Sequence, residues 1–182
     1  MAREAKRWRG PVALRHTEFR RLWSASFVSL VGTQMNQVAL TWHVYLLTDS
    51  AFALGLLGLF KAVPVISLAL FGGVTADARD RRAMLVVTQS AMLAVSASLA
   101  LATAFGIATI WMLYTAVAAA AAAAAFDNPA RASLVPKLVP ADELPNALSL
   151  NVIAWQAAVV VGPSIAGWLI ARAGVGLIYA ID

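Results

Sequence analysis

The chain has no cysteine, two histidines and nine Asp or Glu residues among 182. The first absence excludes disulfides and thiolate metal sites, and the scarcity of other ligand types argues against any metal centre. Charge is scarce as well, 13% of residues where soluble domains carry roughly 25%. There is no nucleophile constellation, no phosphate-cradling glycine loop followed by Lys-Ser/Thr and no ATPase signature. Enzymatic chemistry and ATP-driven work are therefore not expected of this chain, and no cofactor is implied. What is present is apolar: 61% hydrophobic residues and a mean hydropathy of +0.76. A soluble protein of this size cannot hide so much apolar surface, because surface grows almost as fast as mass. The surplus must face a lipid bilayer.

A membrane-crossing helix needs about 20 mostly apolar residues. Such runs occur at residues 22–47, 51–76, 83–105, 107–126 and 148–171, and another opens at 174–182. The expected fold is all-α, a polytopic membrane helical bundle with five complete spans and the start of a sixth behind a basic tail at residues 1–21. The links are short: Thr48-Asp49-Ser50, residues 78–82 and a tight turn near Gly106. The longest, residues 127–146, holds Pro129, Pro136, Pro140 and Pro145, which forbid one continuous helix through it.

Lys and Arg alternate by side. Arg3, Lys6, Arg7, Arg9, Arg15, Arg20 and Arg21 precede the first span; Arg79, Arg81 and Arg82 follow the second; Arg131 and Lys137 follow the fourth. The opposite side has only Arg172. The positive-inside rule then puts the N-terminus in the cytoplasm of a multi-pass cell-membrane protein. Topology thus explains the net charge of +5 without nucleic acid. The first apolar run is too long for a signal-peptide core of about 7–15 residues, so cleavage is not expected.

Polar groups inside the spans are the candidate functional residues, since each needs a partner in lipid. Ser26, Ser29, Thr33, Gln37 and Thr41 lie on one face of the first span, flanked by Gln34 and Asn36. That face is expected to line a cavity or to pack on a neighbouring helix. Lys61 is the one cation within a span, and a centred lysine costs about 2.5–3.5 kcal/mol on insertion scales. No carboxylate stands at matching depth, so its expected partner is a substrate, a helix outside this chain or snorkelled water. In the fifth span Pro163 frees a backbone carbonyl, and Gly162 and Gly167 permit close packing. The alanine-rich stretch at 116–125 reads as a smooth packing face, and His43 as a packed histidine near the outer end of the first span.

After the second span comes Gly72-Gly73-Val74-Thr75-Ala76-Asp77-Ala78-Arg79-Asp80-Arg81-Arg82. This resembles the signature loop of the major facilitator superfamily, roughly G-x-x-x-D-x-x-G-R-[RK], matched here by Gly73, Asp77, Arg81 and Arg82. Asp80 replaces the usual glycine, a departure associated with a branch that includes siderophore and macrolide exporters. Phe126-Asp127-Asn128-Pro129-Ala130-Arg131 and Leu144-Pro145-Asn146-Ala147, leading to Asn151, resemble the same branch. Gly162-Pro163-Ser164-Ile165-Ala166-Gly167 partly resembles the Gly-Pro motif of the superfamily's proton antiporters. The resemblance covers residues from about Phe19 onward.

The resemblance implies the N-terminal six-helix half of a two-halved fold, each half a pair of three-helix inverted repeats. It implies ion-gradient-driven export of a small organic molecule along a path bordered by the first span. Thr33, Gln34, Gln37 and Lys61 are the candidates for that path. The loop after the second span would latch the two halves on the cytoplasmic face through an Asp77–Arg81–Asp127 network. The expected partners are lipid, a small-molecule substrate and a missing C-terminal six-helix half, without which this chain, read as a fragment, is not expected to transport. A second reading is a non-transporting membrane scaffold or regulatory half that docks on a partner.

Overall fold

The computed structural model describes residues 11–75 and 81–181, with side chains outside 69–85 and 127–130. After a 3-10 turn at Val12–Arg15 come α1 (Thr17–Thr48), α2 (Ala51–Thr75), α3 (Arg81–Ala104), α4 (Ile110–Ala132), α5 (Val135–Leu138), α6 (Leu144–Ala173) and α7 (Val175–Ile181). The described residues contain no strand.

The helices end where the backbone is made to turn. Asp49 closes α1 in the left-handed region at φ 45°, its N–H donating to Tyr45 O at 2.8 Å; Asp tolerates that conformation better than most side chains. α3 closes in a Schellman arrangement: Gly106, at φ 67°, donates to Thr103 O, and Ile107 donates to Ala102 O. Gly174, at φ 76°, separates α6 from α7. Pro136 and Pro145 stand in the first turns of α5 and α6, where a missing N–H costs no helical bond.

Two helix bounds differ from the apolar runs. α1 starts at Thr17, ahead of the run, because Glu18, Arg20 and Arg21 are good helix formers and hydropathy marks membrane depth rather than helix length. The expected tail boundary at residue 21 therefore falls inside a helix. α4 starts later than expected, at Ile110, and continues past Phe126 to Ala132. The backbone of Pro129 is thus helical, and the link breaks only around residues 133–134 and 139–143.

The packing has an internal symmetry. α1 lies mainly against α6, α4 against α2 and α3, and α7 against α3 and α1. Exchanging α1 with α4, α2 with α6 and α3 with α7 maps the α1–α6 pair onto α4–α2 and the α3–α4 pair onto α7–α1. This is the pairing of two three-helix units. The contact of α1 with α2 has no comparable counterpart between α4 and α6. Its two-residue link holds the first pair together, whereas the second pair is separated by a long link containing α5.

The surface fits a lipid solvent. Val28, Phe52, Leu59, Ile66, Val87, Leu93, Trp111, Val160 and Trp168 are exposed, while the buried side of α6 is small: Ala147, Ala154, Ala158, Gly162 and Ala166. A water-soluble protein distributes these residues the other way. Among the described residues, Ala51–Leu68, Val86–Ala104 and Leu144–Ala173 are long and apolar enough to cross a membrane, and Ile110–Phe126 is a shorter apolar helix. α1 is the longest, 32 residues or about 48 Å. It is not among those three because Gln34, Asn36, Gln37 and its hydroxyls lower its hydropathy. Trp42, Tyr45, Phe52, Phe105, Trp111 and Trp168 are all exposed at the end remote from the N-terminus, the belt expected at a membrane interface.

Candidate functional site

The polar face of α1 opens on a cavity of about 790 Å³. α1 contributes Ser26, Ser29, Thr33, Gln34 and Gln37; α2 contributes Lys61; α3 contributes Gln89 and Met92; α4 contributes Ala124 and Arg131; α6 contributes Asn151, Ala154, Trp155 and Val159. A narrower space of about 310 Å³ adjoins it, sharing Thr33, Gln37, Lys61, Met92 and Ala124. Thr41, Leu54, Leu57, Ala120 and Ala121 extend that space toward the aromatic end. The alanine face of α4 thus forms a wall here, where larger side chains would fill the void. A further void of about 870 Å³ lies between α1 and α3, and its described lining holds no charged residue.

Lys61 sits near the middle of α2, beside the middle of α1. Its Nζ donates to Gln37 Oε1 at 3.1 Å. This partner, a neutral amide of the same bundle, was not among the three expected, and it takes up one of the ammonium's three donors. Sequence spacing could not pair them, because 24 residues and a helix reversal intervene. Pro64, one turn beyond Lys61, cannot donate to the carbonyl of Phe60, so α2 lacks one backbone bond beside the lysine. The hydroxyls of Thr33 and Thr41 donate to Ser29 O and Gln37 O of their own helix, which satisfies them without a partner helix. Asn36, on the flank, crosses to α3 and donates to Ser96 Oγ at 3.3 Å.

At the N-terminal end of the cavity Arg131 donates to Ser26 Oγ at 3.3 Å, tying α4 to α1. Trp23 donates from Nε1 to Leu150 O at 3.0 Å and stacks on Phe27 with centroids 5.8 Å apart. Below it the 3-10 turn docks on the start of α6. Ala13 N–H donates to Asn146 Oδ1 at 3.1 Å, and His16 Nε2 lies 2.9 Å from Glu143 Oε2. Ala13, Phe19, Val135, Val139 and Ala147 form a small apolar cluster there.

Gly162 stands where α6 approaches α1 most closely. A Cβ built on it would lie 2.5 Å from Gln34 Cβ and 3.1 Å from Val31 O. Both are too near the backbone to swing away. The carbonyl of Val159, which Pro163 leaves without its helical donor, belongs to a residue of the cavity wall. Gly167 is different: it is exposed, and a Cβ there would meet nothing within 4 Å. The close face of α6 is instead Ala154, Ala158, Gly162 and Ala166, repeating every fourth residue. That period of small residues, and the Asn151, Trp155, Val159 period beside it, were the available signals for this helix's two working faces.

His43 is not at the cavity. It is buried in the far-end core, sharing a hydrogen bond between Nδ1 and the Tyr179 hydroxyl at 3.2 Å. Of the expected latch, Gly73 lies in α2; Asp77 and the side chains of Arg81, Arg82 and Asp127 are outside the described residues.

A family model for transmembrane secretion effectors matches residues 10–182. The chain is 27% identical over 150 residues to the Staphyloferrin A transporter of Staphylococcus aureus, covering 82% of this chain and 38% of that protein. It is 25% identical over 168 residues to Macrolide efflux protein A of Streptococcus pyogenes, covering 91% of this chain and 41% of that one. The chain thus spans about two-fifths of the length of these relatives. No solved structure matches it.

Proposed function

Since the chain belongs to the transmembrane secretion effector family of the major facilitator superfamily, we propose that it supplies the N-terminal half of an ion-gradient-driven exporter of small organic molecules. The observation that carries this reading is the polar face of α1 opening, with Lys61, onto a cavity in the middle of an otherwise apolar bundle. A purely structural helix would bury those amides and hydroxyls against a neighbour. Here they line open space. In this reading the N-terminus is cytoplasmic in the cell membrane, and a second six-helix half completes the path across from α1. Thr33, Gln34, Gln37 and Lys61 border the path. Gly162 holds α6 against α1 beside it, and Gly73, Asp77, Arg81, Arg82 and Asp127 form the latch. Alternating access then requires the two halves to rock about the cavity.

The relatives' printed cargoes, a staphyloferrin and macrolides, are the first compounds to try. Cells lacking the gene and the same cells carrying it again are loaded with each compound, and retention is followed. Retention is expected to be several-fold lower with the gene, and a protonophore is expected to abolish the difference. Equal retention of both compounds with and without the gene would overturn the exporter reading.

A further inference from the structure

The cavity's charge speaks to the kind of molecule it takes. Its described lining includes two cationic side chains, Lys61 and Arg131, and no carboxylate. Lys61 is the deeper of the two, near the midpoint of both α2 and the membrane-crossing stretch of α1. An ammonium has three donors and no acceptor. Gln37 Oε1 accepts one of them and brings no charge. The positive charge is therefore solvated by one amide and whatever fills the cavity, in surroundings where unbalanced charge is costly. A cation entering this space meets like charge. A neutral solute leaves the ammonium as it was. An anion pairs with Lys61.

Beside its neutral amides and hydroxyls the lining has apolar surface, including Trp155, 49% exposed on the α6 wall. Its ring offers a flat surface to a flat or alicyclic body. We propose that the cavity binds an organic anion, its carboxylate or other acidic head on Lys61 and Gln37 and its apolar body along Trp155. This names the cargo class and rests on the exporter reading. The same negative charge could instead come from a carboxylate on a helix outside the described residues, and the test separates the two sources.

The test uses the protein extracted from the membranes of cells that make it, with three probes of one shape. These are 2-naphthoate, the uncharged 2-naphthamide and the cationic (2-naphthyl)methyl-trimethylammonium, and quenching of tryptophan fluorescence reports binding. Naphthoate is expected to bind at least tenfold more tightly than the amide, with the ammonium weakest. Lys61→Met is expected to remove the advantage of naphthoate over the amide, and Lys61→Arg to keep most of it; an unchanged melting temperature confirms that both variants fold. Equal or tighter binding of the amide or the ammonium overturns the proposal. So does naphthoate binding that survives Lys61→Met, or no binding by any probe, which would assign the counter-charge to the protein itself. In each of those cases gene-dependent efflux would leave the exporter reading standing.

Discussion

Along α1, from Met35 to the aromatic end, the buried residues are Met35, Ala39, Leu40, His43 and Val44; from Thr17 to Gln34 only Phe19 is buried. The same contrast divides the whole bundle. At the aromatic end α1, α2, α3, α4 and α7 close around Val44, Ala53, Leu99, Leu113, Tyr114, Ile178 and Tyr179. Toward the N-terminal end the helices part around the cavity, tied by the Arg131–Ser26 bond and by the small cluster under Trp23. One helix thus serves as core wall in one half and cavity wall in the other. What differs is the residue placed on its inner face: aliphatic and aromatic groups where packing is required, and Ser, Thr and Gln where space is kept open. Stability is concentrated at one end, and room for a ligand at the other.

The contrast can be broken most severely at Tyr114. Its side chain is 1% exposed, stacks on Phe60 with centroids 4.7 Å apart and donates to Ala53 O at 3.0 Å. Tyr114→Ala is expected to cost about 3–5 kcal/mol, and Tyr114→Phe, which loses only the hydrogen bond, about 1 kcal/mol. Thermal unfolding in detergent would measure both. A Tyr114→Ala protein that melts with the wild type would mean that the far end is not the stabilising half.

Gly162→Ala comes next. Overpacking typically costs about 1–3 kcal/mol, and this site is tight because Gln34 Cβ and Val31 O are fixed to α1. A melting temperature at or above wild type would show that α6 does not approach α1 as closely as described. Gly167→Ala, facing open space, serves as the comparison within the same helix.

The smallest effect is expected at the N-terminal end. The His16–Glu143 pair has side chains 37% and 23% exposed, and partly exposed pairs are worth about 0–1 kcal/mol. His16→Ala should therefore shift unfolding less than either change above. A larger loss would move this cluster from an accessory contact to a second centre of stability.

Much of this was legible in the sequence. The order of the long helices followed from apolar runs broken by Asp49, Gly106 and Gly174, because a lipid-crossing helix must be apolar over its membrane depth; the four-residue α5 did not. The polar face of α1 was legible because its residues repeat at helical spacing. What was hidden depended on contacts between distant segments. Gln37 reaches Lys61 from another helix, and no periodicity encodes that meeting. Gly162 and Gly167 look equivalent as letters, yet one lies against α1 and the other faces outward, since a five-residue step turns through well over a full helical turn. Trp155 joined the cavity for a similar reason: only the packing of α6 on α1 decides which side of an apolar helix faces inward.

The docking of the 3-10 turn on α6 also sets an order of events during synthesis. Ala13 and Asn146, joined by a hydrogen bond, are 133 residues apart. At ribosomal rates of about 5–20 residues per second, roughly 7–27 s separate the emergence of the two partners. For that interval the segment before α1 has no binding site, while α1 to α4 are already available for insertion. The segment before α1 is thus made ahead of α1 to α4 yet finds its place only after the start of α6 has emerged, and its arrival closes the N-terminal end of the bundle around a space whose walls are already standing.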